Sequence, residues 1–271
     1  MDLNDYDQTK RVKALVYGPP KSGKTALIAA LAEAGFMIWF FDFEQGVKTL
    51  LNPAILKPEF RKNVRVFNIP DHRAYPIAID TLRELYKGGK KKFCYLHGKN
   101  MCPVCAKEAG NKWSAEIDLA TFTDNDILVF DSWTQIANSA INKVTLKEWT
   151  KDPEYKMGFD EYRLQGMFQD EVMTKIQVSN IHTIIISHET DVEKSETKER
   201  LVPNGGTRNF SKTIAKYVDE VIYLQVLNKK HSVYSSTTFS NTVLTGGRSG
   251  VKLEEGSNVS IVDIFGGKRN G

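Results

Sequence analysis

The segment Gly18-Pro19-Pro20-Lys21-Ser22-Gly23-Lys24-Thr25 matches the pattern G-x-x-x-x-G-K-[ST], and its position in the chain fits that pattern. Residues 12–17 before it form an apolar run that is typical of a buried strand, and residues 26–32 after it favour a helix. The glycines therefore fall between a strand and a helix, where backbone N–H groups and the positive helix end converge on an anion. The sequence predicts a phosphate-binding loop within an α/β fold.

The last two residues of this loop carry side chains that suit a bound nucleotide. Lys24 is expected to reach the β- and γ-phosphates of ATP, and the Thr25 hydroxyl is expected to hold Mg²⁺. The backbone from Gly18 to Gly23 would surround the phosphates. ATP and Mg²⁺ are accordingly the predicted cofactors at this site.

Length and composition set wider limits on the protein. A chain of 271 residues is long enough for one large domain or two small ones. Lys and Arg number 37 against 33 Asp and Glu, and the net charge of +4 argues neither for nor against a nucleic acid partner. The sequence has no run of eighteen apolar residues and starts with a polar, acidic segment. We therefore expect no membrane span, no signal peptide and a cytoplasmic location.

A second apolar run ends in acidic residues. Residues 36–44 are typical of a central parallel strand, and the run ends in the two acids Asp42 and Glu44. Ligands bind outside the carboxyl ends of such strands. We interpret Glu44 as the residue that orients and deprotonates the attacking water, and the alternative is a solvated loop carboxylate.

A third apolar run, residues 127–130, ends in Asp131. The carboxylate of Asp131 is predicted to contact the Thr25 hydroxyl and the hydration shell of Mg²⁺. Ser132 follows, where many ATPases have a glutamate. This departure leaves Glu44 as the natural candidate for activating the water.

The C-terminal half adds two candidate residues and one long polar segment. Residues 183–187 predict a strand, and His188 after it is interpreted either as a sensor of the γ-phosphate or as an inert histidine of a polar loop. Residues 191–209 lack an apolar period and predict a mobile loop. The glycine-rich turn at 245–250 carries Arg248, either an arginine finger for a neighbouring subunit or a hairpin arginine in water.

A lysine-rich segment, residues 87–113, contains all three cysteines of the chain in the arrangement Cys94-x2-His97-x4-Cys102-x2-Cys105. Two chelating pairs with a tight turn between them can close a tetrahedral shell around Zn²⁺, so the spacing predicts a structural zinc site; free thiols are the alternative. The segment is too short for a core of its own, and metal binding would supply folding energy. Its lysines suit either a phosphate backbone or solvent.

Taken together, the order of these parts resembles the RecA-like P-loop ATPases. The matching pieces are residues 18–25, 41–44, 129–131 and 186–189. The Ser-His-Glu after the last of these strands and the Gly-Arg-Ser-Gly turn near the C-terminus are most similar to the phage-encoded nucleotide-binding proteins of the Sak-type single-strand-annealing group. The resemblance covers roughly residues 10–265.

The resemblance implies one ATPase domain over residues 1–271. The zinc knuckle at 87–113, which is predicted from its own spacing, would be inserted into this domain and is not part of the minimal RecA-like core. Its central, mostly parallel sheet would have the strand order 5-1-4-3-2 and would be flanked by helices. The alternating residues 231–244 predict C-terminal antiparallel edge strands in addition. Glu44 would polarise the water, and His188 would couple the nucleotide state to the 188–210 loop, which would contact single-stranded DNA.

The resemblance also implies partners. Subunits would assemble into a ring or a filament with ATP between them, and a basic residue of the adjacent protomer, Arg248, Lys229 or Lys230, would help to neutralise the phosphoryl charge. A single-strand-binding protein is a further expected partner, and a membrane is not. The implied function is Mg-ATP hydrolysis on single-stranded DNA during recombination or replication, by annealing or strand exchange.

Two other functions stay open from the residues alone. One is a nucleotide-switched, zinc-containing protein that loads or recruits a partner. The other is a small-molecule phosphotransferase, which would need an arginine-rich lid, and the acidic character of the 188–210 loop argues against such a lid.

Overall fold

The structure is a computed structural model that describes residues 11–94, 97–100, 102–109, 114–195, 198–228, 230–235, 243–251, 253 and 260–267. Lys229, one of the residues expected to act on a neighbouring subunit, lies outside these ranges. Within them, no helix combines the length and the apolar composition that crossing a membrane requires.

Strands and helices alternate along most of the described chain. The strands are β1 (Lys13–Gly18), β2 (Met37–Asp42), β3 (Val64–Asn68), β4 (Lys91–Cys94), β5 (Ser114–Ile117), β6 (Asp126–Asp131), β7 (His182–Ser195), β8 (Lys198–Pro203), β9 (Glu220–Leu227), β10 (Lys230–Tyr234) and β11 (Gly246–Gly247). The α-helices are α1 (Lys24–Glu33), α2 (Ala78–Leu85), α3 (Pro103–Ala109), α4 (Trp133–Lys151), α5 (Phe159–Val178), α6 (Arg208–Thr213) and α7 (Ile261–Ile264).

The main sheet has the order β10-β9-β1-β7-β6-β2-β3, with β8 paired to β7 and β11 paired to β9. The strands from β9 to β3 in this order are parallel to one another, whereas β10 and β11 run antiparallel to β9. The α/β class with a mostly parallel central sheet is therefore confirmed.

The predicted strand order 5-1-4-3-2 is wrong. Numbered one to six along the chain, the parallel strands β1, β2, β3, β6, β7 and β9 lie in the order 6-1-5-4-2-3. The difference arises because β3 pairs with the outer side of β2 and extends the sheet there, with Phe41 opposite Phe67. A strand at residues 64–69 can be read from the sequence, but its neighbour depends on contacts that are distant along the chain.

The predicted mobile loop at residues 191–209 is also wrong for its first half. Strand β7 continues beyond the sheet to Ser195 and pairs with β8 as an antiparallel hairpin, in which Asp191 lies opposite Leu201. Charged residues hide such a hairpin from sequence analysis, because they remove the apolar alternation while the backbone groups still pair across the strands.

Two cores cover the two faces of the main sheet. Phe41 of β2 belongs to the core that α2, α4 and α5 cover, and its neighbour Phe40 belongs to the core on the opposite face, which α1 and α7 cover. Successive side chains of a strand point to opposite faces, so strands buried on both sides are apolar throughout. The carboxyl ends of the strands are left as the edge where polar side chains gather.

Candidate functional site

The phosphate-binding loop joins β1 to α1 and depends on its glycines. Gly18 has φ 152° and Gly23 has φ 95°. A Cβ atom on Gly18 would lie 2.0 Å from the carbonyl oxygen of Leu224 in β9. The loop therefore passes too close to the neighbouring strand for any residue with a side chain at position 18.

Lys24 and Thr25 begin α1 and point into the loop. The buried ammonium of Lys24 donates to the carbonyl oxygens of Gly18, at 2.9 Å, and Pro19, at 2.7 Å. Burial lowers the pKa of Lys24, and the nearby carboxylates of Asp131 and Glu44 partly counteract that shift. An anionic phosphate would supply the counter-charge that this ammonium lacks.

Asp131 ends β6 beside the start of α1. The Thr25 hydroxyl donates to its Oδ2 at 3.0 Å. Burial raises the pKa of Asp131 to about 7; the Thr25 hydrogen bond opposes this shift, and the charges of Glu44 and Asp42 add to it. A hydroxyl and a carboxylate side by side are the oxygen ligands that Mg²⁺ prefers, so these two residues fit the ion.

Glu44 lies in the turn after β2, and both of its carboxylate oxygens have partners. The hydroxyl of Ser132 donates to Oε1, and Nε2 of His188 lies 3.1 Å from Oε2. Burial by itself would raise the pKa of Glu44, but the hydrogen bonds from His188 and Ser132 outweigh it, so the pKa lies below its usual value. The carboxylate is therefore ionised at neutral pH.

These residues surround one cavity at the carboxyl edge of the sheet. Its volume is about 490 Å³. Of the predicted residues, its lining includes Lys21, Ser22, Gly23, Lys24, Thr25, Glu44, Asp131 and His188. Gly18, Pro19 and Pro20 form the preceding part of the loop and do not line it.

Asp42 has a positioning role that the sequence did not reveal. Its buried carboxylate accepts hydrogen bonds from the backbone N–H groups of Glu44, Gly46 and Val47, at 3.2, 2.8 and 3.2 Å. Burial raises the pKa of Asp42, and these N–H groups oppose the shift. The residues from Asp42 to Val47, called here the Glu44 turn, are thus held by one side chain. An acid at the end of an apolar strand with a glycine four residues later is the only local signal for it.

His231 is a second residue that sequence reasoning missed. It lies on β10 and lines the cavity, and its Nδ1 is 2.9 Å from the carbonyl oxygen of Ser22. A carbonyl oxygen only accepts, so Nδ1 carries the proton. Because β10 meets the loop only in the folded chain, the sequence offers no signal for this contact.

Arg248 does not reach the cavity of its own chain. It is 69% exposed and lies 3.4 Å from a carboxylate oxygen of Asp219, next to the first residue of β9. In the register of the sheet, Glu220 lies opposite Ala14, near the start of β1, whereas the phosphate-binding loop follows the end of β1. Arg248 therefore lies near the amino-terminal ends of these strands, and the phosphate-binding loop lies at their carboxyl ends.

A separate cluster lies in the segment formed by β4, α3 and β5, called here the cysteine module (residues 91–117). The ligand atoms of Cys94, His97, Cys102 and Cys105 all lie within 4.8 Å of one another. Nδ1 of His97 is 3.2 Å from Sγ of Cys105 and 3.6 Å from Sγ of Cys102. A tetrahedral zinc ion with Zn–S of about 2.3 Å and Zn–N of about 2.0 Å keeps its ligands roughly 3.5–3.8 Å apart, so the cluster fits such an ion.

Comparison with known proteins identifies the family. The sequence profile of a family described as AAA domain matches residues 10–259. No curated protein sequence is significantly similar to the chain. A solved structure described as a prototypical ATPase from the type III secretion system of pathogenic bacteria is 12% identical, with a TM-score of 0.39 over 79% of this chain and 52% of that one. The chain thus spans about half of that protein, and so distant a likeness carries no argument. The family match over most of the chain shows that the chain belongs to the AAA domain family.

Proposed function

We propose that this protein hydrolyses Mg-ATP and uses the reaction to act on single-stranded DNA in recombination or replication, in the manner of the Sak-type phage proteins. The observation that carries the proposal is the hydrogen bond between Glu44 and His188, 3.1 Å long. It joins the acid at the nucleotide cavity to the strand that continues into the β7–β8 hairpin. The hairpin is the element through which the protein would sense or move DNA.

Each residue of the cavity has a role in the proposed reaction. Lys24 would hold the β- and γ-phosphates, and Thr25 and Asp131 would hold Mg²⁺. The ion, when bound, neutralises phosphate charge. Glu44 would orient the attacking water through a carboxylate oxygen, because each of its oxygens keeps a lone pair beyond the one that Ser132 or His188 uses. A low pKa suits this role, since a loose phosphoryl transfer demands positioning of the water more than early proton removal.

The tautomer of His188 supports the coupling. Its Nε2 donates to Glu44, because a carboxylate oxygen only accepts, and its Nδ1 is buried without a hydrogen-bond partner in the described part of the chain. The carbonyl oxygen of the same residue accepts from the N–H of Asn204, directly after β8. A change in the position of Glu44 would therefore be transmitted through His188 to both strands of the hairpin.

The hairpin is a better candidate for the DNA contact than the cysteine module. Several lysines in and beside the module are already in ion pairs with acids, namely Lys87 and Lys91 with Glu84, and Lys90 with Glu116. The hairpin sequence contains Lys194, Lys198 and Arg200 beside five acids between positions 189 and 199, so its contact with His188, and not its charge, favours it. A partly neutralised module offers a phosphate backbone less than its lysine count suggests.

Assembly into a ring or a filament is the other half of the proposal. Arg248 is exposed and far from its own phosphate-binding loop, so the nucleotide that it would contact is that of a neighbouring subunit. Lys230 is the alternative donor. A single-strand-binding protein remains a proposed partner of the assembled protein.

The experiment compares phosphate release with and without single-stranded DNA in wild type, His188→Gln and His188→Ala. Glutamine can place its amide nitrogen near the position of Nε2, so His188→Gln should keep most of the DNA stimulation, whereas His188→Ala should lose it. DNA binding should weaken steeply with salt. ATP turnover that ignores single-stranded DNA under all these conditions would remove the DNA half of the proposal.

Zinc is the third proposed cofactor, bound by Cys94, His97, Cys102 and Cys105. Elemental analysis of protein purified without chelators should find one zinc ion per chain. The variant Cys102→Ser should lose it, and Lys107→Ser, on the exposed side of α3, should keep it. Metal-free wild-type protein would contradict the assignment.

A further inference from the structure

We infer that zinc in the cysteine module positions the Glu44 turn, so that metal occupancy controls the rate of hydrolysis and leaves nucleotide binding unchanged. The inference rests on the proposed roles of zinc and of Glu44. It is carried by two routes of direct contact that run from residues next to the zinc ligands to Asp42.

The first route passes through Phe93, which directly precedes the ligand Cys94. Phe93 is buried in the main core, and its ring centroid lies 5.9 Å from that of Phe41 and 6.1 Å from that of Phe67, both in edge-to-face geometry. Phe41 immediately precedes Asp42 in β2 and stacks on Phe67 of β3 at 4.5 Å. Aromatic pairs of this kind contribute beyond the area that they bury. The module therefore supports the last residues of β2.

The second route passes through Gly98, which directly follows the ligand His97. A Cβ atom on Gly98 would lie 3.0 Å from Cγ2 and 3.2 Å from Cα of Ile69, so the two backbones pack against each other. The N–H of Ile69 donates to the carbonyl oxygen of Asp42 at 2.9 Å. The carboxylate of Asp42 in turn holds the N–H groups of Glu44, Gly46 and Val47. Three residues thus link a zinc ligand to the catalytic turn.

The module depends on the metal to keep these contacts. Its three cysteines form a small buried cluster apart from the two main cores. Among the described residues between the ligands, the backbone bonds include Gly98 N–H to the Cys94 carbonyl at 3.0 Å and Cys94 N–H to the Lys99 carbonyl at 3.1 Å. A segment of this size gains its folding energy from a bound metal. Loss of zinc should therefore loosen Phe93 and Gly98 against the core.

The two sides of the active site should respond differently. The phosphate-binding loop is held by β1, β9 and His231, and none of the described contacts joins it to the module. Misplacing a catalytic group by a fraction of an ångström lowers turnover without removing substrate contacts. We expect kcat to fall about tenfold on zinc loss, while KM for ATP stays within about twofold.

The experiment measures amide hydrogen exchange over residues 42–49 in zinc-loaded wild type, in chelator-treated wild type and in Ile69→Ala. Zinc loss should speed exchange at Glu44, Gly46 and Val47, the amides that Asp42 holds, and leave residues 18–26 unchanged. Ile69→Ala keeps every zinc ligand and should show the same faster exchange with one zinc per chain. Ile176→Ala, a buried isoleucine of α5, is the matched control for general destabilisation.

The outcomes separate this inference from the proposed function. Unchanged exchange at residues 42–49, with faster exchange at residues 94–105 after zinc removal, would overturn the inference. If the chelator-treated protein unfolds throughout, the measurement on Ile69→Ala alone tests the inference. Exchange at the wild-type rate in the Glu44 turn of that variant would overturn the inference. A protein that shows no ATP turnover in any form would refute the proposed function, and the exchange measurements would still test the link to zinc.

Discussion

The two sides of the nucleotide cavity are built in different ways. The phosphate side comes from one unbroken segment, residues 18–25, in which the loop and the first turn of α1 follow each other along the chain. The hydrolysis side combines Glu44 after β2, Ser132 after β6 and His188 in β7, and these residues meet only because their strands are neighbours in the sheet. The proposed grip on the phosphates is therefore formed by a local segment of the chain, whereas the proposed activation of water depends on its tertiary structure.

The largest expected effect comes from removing one charged side chain on each side. Lys24→Ala should lower kcat/KM by about 10³-fold, chiefly through lost nucleotide binding, because it removes the ammonium that faces the phosphates. Glu44→Gln should lower kcat about 10²-fold and leave ATP binding intact. Titration with a fluorescent ATP analogue and steady-state phosphate release measure the two quantities.

The exposed acid Glu59 provides the control, as Glu59→Gln should resemble wild type in both assays. Equal loss of binding in the Lys24 and Glu44 variants would contradict the division between the two sides. Turnover that is unchanged in Glu44→Gln would instead favour the nucleotide-switch function over hydrolysis by Glu44.

Adding one methyl group to each side should give a smaller and contrasting effect. In Gly18→Ala the new Cβ meets the backbone of Leu224 at 2.0 Å, and backbone cannot move aside, so we expect a loss of stability of about 3 kcal/mol. In Gly46→Ala the new Cβ meets Oδ2 of Asp131 at 2.3 Å, and a side chain can rotate. That variant should fold well but bind Mg²⁺ roughly tenfold more weakly.

Thermal melts and Mg²⁺ titrations of ATP turnover measure this pair. Gly166→Ala in α5, where a Cβ would meet no atom within 4 Å, is the control for the added methyl. A Gly46→Ala protein with a wild-type requirement for Mg²⁺ would show that Asp131 has more freedom than its burial implies.

The smallest expected effect is on the pH dependence of stability. The pKa of Asp131, raised to about 7 from 3.8, means that the folded protein keeps a proton between these values that the unfolded chain has lost. The stabilisation from that proton is complete below pH 3.8 and disappears as pH rises towards 7. Asp131→Asn lacks this stabilisation at every pH, whereas wild type loses it as the pH rises. The melting temperature of the variant relative to wild type should therefore rise between pH 5 and pH 8, measured without nucleotide or Mg²⁺. Between pH 5 and pH 8 the difference in stability should change by roughly 2–3 kcal/mol at most.

A matched variant strengthens this measurement. Glu59→Gln removes an exposed carboxylate and corrects for the change in net charge. A melting-temperature difference for Asp131→Asn that stays constant over this range would mean that the carboxylate is already ionised in the folded protein at pH 5.

What could be predicted from the sequence follows the same division. The loop at 18–25, the β6 strand before Asp131 and the Cys/His spacing are all local patterns, and the structure has them where the sequence puts them. Three features depend on partners that are up to 209 residues away along the chain. They are the place of β3 as a border strand, the contact of His231 with Ser22, and the position of Arg248 at the amino-terminal ends of the strands. No window along the chain contains such information.

The β7–β8 hairpin was missed for another reason. Its sequence is rich in charge, and charge normally signals an irregular segment, but here β7 leaves the sheet with its backbone groups already aligned and β8 returns to pair with them. Paired backbone compensates for the missing apolar face. The Asp42 contacts were missed because a side chain that accepts from its own following backbone looks the same in sequence as one that faces a ligand.

The contact between His231 and Ser22 also connects the phosphate-binding loop to a border strand of the main sheet. Among the described strands, β10 is the last one on its side of the main sheet. A shift of this border strand would move the imidazole of His231 and, through it, the Ser22 carbonyl oxygen of the phosphate-binding loop. A change that displaces β10 should therefore also alter the loop that we propose to hold ATP, through the side chain of His231.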